Sequence, residues 1–138
     1  MSTHDTEEAL TLLRKHTREE LSGILDTAAN TFDHTVTAFM SESYRGLRKT
    51  MNRIDDEKIH LKQVKRIGTL GVAQLDNNTA IEKGLYYYQG NDFISEIIYS
   101  IGRICEPCLE HTDNNFNPLH NDQKEEFTHI ASGITALL

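Results

Sequence analysis

The chain has no tryptophan, two prolines and two cysteines among its 138 residues, and it lacks any long uncharged run. Each scarcity excludes something. With only Pro107 and Pro118 to interrupt it, most of the backbone is free to stay helical, because proline is the residue that a helix interior tolerates least. Cys105 and Cys108 lie three apart and form no disulfide framework, so nothing marks the chain for an oxidising compartment. The longest charge-free segments, such as residues 127–138, fall well short of the roughly 18 apolar residues of a membrane-spanning helix. The opening MSTHDTEEAL is polar and acidic, whereas a secretory leader begins basic and turns apolar. There is no Gly-rich phosphate loop, no nucleophile elbow and no HExxH, so no enzymatic activity is expected. A net charge of −7 and the lack of any reader motif argue against nucleic acid.

What the chain does contain is helical periodicity. In the longest such stretch, residues 79–119, Ile81, Leu85, Tyr88, Ile94, Ile97, Ile98, Ile101, Ile104, Cys105 and Cys108 recur mostly three or four apart, the period of one buried helix face. Thr79 and Glu82 fit a capping box at its start. The run His111-Thr112-Asp113-Asn114-Asn115 marks its end, since Asn tolerates the left-handed conformation, and Pro118 forbids continuation. Upstream, a short helix is expected over residues 7–16, with Leu10 and Leu13 inward. A second capping box, Thr17 to Glu20, then opens a helix over residues 18–40 that carries Leu21, Ile24, Leu25, Ala28, Phe32, Val36, Phe39 and Met40.

Ser43 is placed to cap a further helix over residues 44–75, with Leu47, Met51, Ile54, Leu61, Val64, Gly68 and Leu75 near one face. Its tail, residues 67–73, has two glycines and could equally be a short strand. Helix is the reading adopted, because no partner strand appears elsewhere and small residues let helices approach closely. Asp122 with Glu125 gives a third capping box before Phe127, Ile130, Ile134 and Leu137. The sequence therefore predicts one all-α domain over residues 1–138: an antiparallel up-and-down helical bundle of four main helices plus a short N-terminal one, with residues 1–5 mobile.

Three patterns stand out: E-K-G-L-Y-Y-Y-Q at 82–89, E-P-C-L-E-H at 106–111 and D-N-N-F-N-P-L at 113–119. They resemble the PhoU-like soluble domain at the cytoplasmic end of bacterial inorganic phosphate permeases, best over residues 76–127. The resemblance implies a PhoU-like bundle that serves as an accessory or regulatory domain of a phosphate transporter at the inner face of the membrane. Its implied partner is the transmembrane part of the permease, and a homo-oligomer is possible. The chain would then be an excised domain or a free-standing relative. PhoU proteins carry carboxylate clusters that can bind metal, and Asp55-Asp56-Glu57 falls about where one would lie. The companion motif on the next helix is missing, because residues 95–101 offer only Glu96, so no cofactor is expected.

Other residues invite chemistry. Cys105, Cys108 and His111, three apart on one helix side, are soft ligands that suit zinc, but only His120 or His129 could supply the fourth by folding back, and both cysteines also fit a core stripe. Glu57-x-x-His60 and Glu126-x-x-His129 match the spacing of di-iron bundles, yet their side chains sit off the apolar rows of their own helices. An iron- or zinc-binding bundle is the alternative function. The clearest electrostatic feature is basic: Arg45, Arg48, Lys49, Arg53, Lys58, Lys62, Lys65 and Arg66 are 8 of 14 basic residues, against three acids between them. That segment can meet an anionic leaflet, the transporter face or acidic surfaces of its own bundle. Tyr86, Tyr87 and Tyr88 cannot share one direction, so one or two enter the core and the rest face an interface. A purely structural oligomerisation module, using that tyrosine surface or the Cys105 helix, is the third reading.

Overall fold

A computed structural model describes residues 3–138, with the side chains of Thr3 and Thr6 left aside. Four helices follow one another: α1 Thr3–Met40, α2 Tyr44–Ala73, α3 Asn77–Asp113 and α4 Asn121–Leu137. No strand occurs among the described residues, and the chain is an all-α helical bundle. At about 1.5 Å per residue, α1 and α3 are each about 55 Å long and α4 about 25 Å. α1, α2 and α3 pack on one another, whereas the backbone of α4 comes close to that of α1 alone.

The expected short N-terminal helix does not exist as a separate element. α1 runs unbroken from Thr3 through Thr17, and the Thr17 hydroxyl is a buried group without a hydrogen-bond partner rather than a cap. No proline interrupts this stretch, and Leu13, Thr17, Leu21, Ile24 and Ala28 keep one inward row across the expected break, so packing carries the helix through. Of the residues expected to be mobile, Met1 and Ser2 lie outside the described residues.

The helix ends are built by specific groups. Ser43 accepts from the Gly46 amide at 3.0 Å, the cap that its position suggested. α3 starts earlier than expected, on Asp76, whose carboxylate accepts from the amide and hydroxyl of Thr79 at 3.1 and 2.6 Å. Those two bonds hold the Asp76 carboxyl below its ordinary value. α4 begins two residues ahead of the Asp122 box, with Gln123 accepting from the His120 amide at 2.9 Å. Asn115 adopts a left-handed φ of 53°, and the Phe116 amide reaches back to the His111 carbonyl at 3.1 Å, a Schellman ending. The D-N-N-F-N-P-L pattern is thus a helix stop. α3 continues through Pro107, which has no amide to give the Arg103 carbonyl.

The main core joins Ile24, Ala28, Phe32 and Val36 of α1 to Leu47, Ile54, Leu61 and Val64 of α2 and to Ile94, Ile98, Ile101 and Cys105 of α3. A smaller core at the α2–α3 turn holds Leu13, Val72, Leu75 and Tyr87. There the phase of α3 differs from the apolar spacing. Gly84, Tyr87 and Asn91 face inward, while Ile81, Leu85 and Ile104 are exposed. Gly68 opens the slot that Tyr87 enters, and the tyrosine hydroxyl donates to the Val64 carbonyl at 2.9 Å. α4 also departs from expectation: Ala131 is buried and Phe127 half-buried, but Ile130, Ile134 and Leu137 remain exposed. A helix that packs on one neighbour can cover only a narrow stripe.

Candidate interaction surface

The eight basic residues of α2 do not form one face. A straight helix distributes them around its axis, and neighbours take up some of them. The Arg53 guanidinium donates to Nδ1 of His34 at 3.0 Å, and with Lys49 it turns toward α1, beside a cleft of about 270 Å³ that His34, Thr37 and Ser41 also line. Lys58 and Lys65 turn toward α3. The Lys58 ammonium lies 4.7 Å from the Tyr99 ring centre and 3.8 Å from Asp55, and that of Lys65 lies 3.4 Å from Asp92. These pairs are exposed enough to contribute little stability.

What is left points outward. Arg48, Lys62 and Arg66 lie on a row with Asp55 and the half-exposed Ile59, spaced seven, four, three and four apart, and Arg45 lies close beside it. Among the described residues, Arg45, Arg48, Lys49, Lys62 and Arg66 have no ion pair or hydrogen bond from their side chains, and of these Lys49 alone lies beside the cleft toward α1. A surface of this kind is open to an external anion or acidic partner, since no acid among the described residues meets the other four side chains at contact distance.

The metal candidates are dispersed. Asp55 and Asp56 are exposed on α2. Cys105 is fully buried and its thiol faces the Leu47 carbonyl at 3.8 Å, whereas Cys108 is half-buried. His111 is engaged elsewhere: its Nε2–H donates to the Asn117 carbonyl oxygen at 3.0 Å, and its ring meets Phe39 and Phe116 edge-on. The imidazole therefore latches the turn that ends α3. Glu126 and His129 are both exposed. Among the described residues no three His, Cys, Asp or Glu side chains are grouped to hold a metal ion. No family model, no curated protein and no solved structure matches the chain.

One pairing had no local signature. His60 Nε2 lies 3.1 Å from a Glu20 carboxylate oxygen, and its Nδ1 lies 3.8 Å from Glu57, joining α1 to α2 across 40 residues of sequence. Glu57-x-x-His60 thus serves a helix–helix contact. Of the three tyrosines, Tyr87 is buried, Tyr88 leans on it edge-on with ring centres 5.7 Å apart, and Tyr86 is 70% exposed.

Burial raises the thiols of both cysteines, and Cys108 reaches about 11 from an ordinary value of 9.0, with Cys105 beside it adding to the effect. A rise of that size leaves about a hundredfold less thiolate, so iodoacetamide at pH 8 should alkylate Cys108 in the folded protein about a hundredfold more slowly than in urea. Equal rates would place the thiol in water. A thiol raised in the folded state adds stability that is fully present below its unfolded value near 9 and is lost as pH rises through about 11. Burial raises the Tyr87 phenol in the same sense. Unfolding free energy should therefore be flat from about pH 7 to 9 with respect to these groups and fall above that.

Proposed function

We propose that the chain is an accessory or regulatory domain of an inorganic phosphate permease, held at the cytoplasmic face of the transporter through helix-face protein contacts. The PhoU-like patterns at 82–89, 106–111 and 113–119 supply the identity of the partner. The observation that carries the mode of action is the outward row of unpaired cations on α2, Arg48, Lys62 and Arg66 with Arg45 beside it. No helix among the described residues is long and apolar enough to cross a membrane, so within these residues attachment has to come through a surface.

The test is a triple reversal, Arg48→Glu, Lys62→Glu and Arg66→Glu. All three side chains are exposed, so the unfolding free energy should move by no more than about 0.5 kcal/mol per site. Phosphate uptake by cells that carry the variant should lose the regulation that the native chain confers. Uptake identical for native chain, triple variant and deletion would remove the transporter from the account.

A further inference from the structure

The side of the bundle where α1 and α3 meet carries two complementary features, one above the other. Toward the C-terminal half of α1, α4 lies antiparallel along it. Phe127 packs on Phe39 with ring centres 6.2 Å apart, and Ala131 seats beside Val36 and Met40. The flank of α4 stays apolar and open, with Ile130, Ile134 and Leu137 at 56%, 41% and 88% exposure. Toward the N-terminal half of α1 lies an unfilled groove of about 380 Å³. Leu10, Leu13, Leu21 and Tyr87 form its floor, and Arg14 and Arg18 stand on its rim. Neither arginine has an ion pair or hydrogen bond from its side chain among the described residues. Leu21, Leu25, Ala29, Phe32 and Val36 are spaced four, four, three and four apart, so this groove continues the side of α1 that α4 covers higher up.

We propose that the chain pairs with a second copy in an antiparallel two-fold dimer, in which α4 of each copy fills the α1–α3 groove of the other. A ridge and a groove displaced along one face are self-complementary under that rotation. Register follows from the common rise of about 1.5 Å per residue. With Ala131 level with about Val36, a two-fold axis level with Ala29 sets Ile130 and Ile134 of the partner copy level with about Leu21 and Leu25. The same axis brings Glu125 and Glu126 of the partner copy between Arg14 and Arg18. Charge thus selects the orientation. A parallel pair would set Arg14 and Arg18 of one copy against the same arginines of the other, and like charges in contact are disfavoured.

The 138-residue chain should sediment at tens of micromolar with about twice its mass of 15.7 kDa. Arg14→Glu with Arg18→Glu should weaken self-association by about a hundredfold or more, and so should Glu125→Arg with Glu126→Arg, because each places like charges face to face. All four side chains are exposed, so both variants should keep the native helical circular dichroism. An equimolar mixture of the two variants should dimerise again, since the acidified groove meets the basic helix while the two native surfaces meet each other. A monomeric native chain, variants that remain dimeric, or a mixture that stays monomeric would each overturn the proposal.

Discussion

Gly68→Ala is expected to lower the unfolding free energy by about 2 kcal/mol, although alanine is the better helix former by about 1. A Cβ at this position would lie 1.7 Å from the Tyr87 hydroxyl oxygen and 1.8 Å from the ring carbon that bears it. The ring would have to leave its slot, giving up the 2.9 Å bond to the Val64 carbonyl and its place in the smaller core. Overpacking and a lost hydrogen bond together outweigh the gain in propensity. The sign should reverse once the ring is gone: in a Tyr87→Ala background, Gly68→Ala should be neutral or stabilise by up to about 1 kcal/mol. Urea unfolding of the four proteins measures both effects. An equal cost in both backgrounds would mean that Gly68 matters for a reason other than Tyr87.

Leu47→Ala should cost more, about 3 kcal/mol. Leu47 is fully buried where α1, α2 and α3 meet in the main core, with the Cys105 thiol against its own carbonyl. Removing three carbons from such a site loses their transfer free energy and leaves a cavity that rigid helices close only in part. Leu85→Ala is the contrast. Leu85 belongs to the same residue type and fits the apolar spacing of α3, but at 57% exposure its truncation should stay within about 0.5 kcal/mol. Comparable losses at the two positions would contradict the phase of α3 described above.

That contrast also shows where sequence reading reached its limit. Helices were legible because leucine, isoleucine and valine recur at helical period, and the Ser43 cap and the Asn115 turn were legible because each is a local bond within a few residues. The inward row of α3 begins instead with Gly84, Tyr87 and Asn91. A glycine that seats against Val72 and an asparagine that donates to the Tyr87 carbonyl do not register as apolar, whereas Ile81 and Leu85 do and lie outside. The unbroken α1 was hidden by a capping pattern at Thr17 that tertiary packing overrides. The Glu20–His60 contact has no signal in sequence, since nothing local links residues 40 apart. For the basic residues of α2, spacing located them on one helix, but only the neighbouring positions of His34, Tyr99 and Asp92 separate the engaged cations from the free ones. The Cys105, Cys108 and His111 pattern fits a soft ligand set and a core stripe equally well by spacing, and only the fold shows Cys105 against the Leu47 carbonyl and His111 at the turn that ends α3.

The outward surface of α2 can be challenged most directly by a binding measurement. Permease-containing membranes from the source cell would be mixed with the purified chain or with the Arg48→Glu, Lys62→Glu, Arg66→Glu variant, and the bound fraction read after sedimentation, with permease-free membranes as the control. The account predicts that the native chain binds in a permease-dependent way and that the variant binds at least about tenfold more weakly. Equal binding by the native chain and the variant, or native binding that does not depend on the permease, would contradict it.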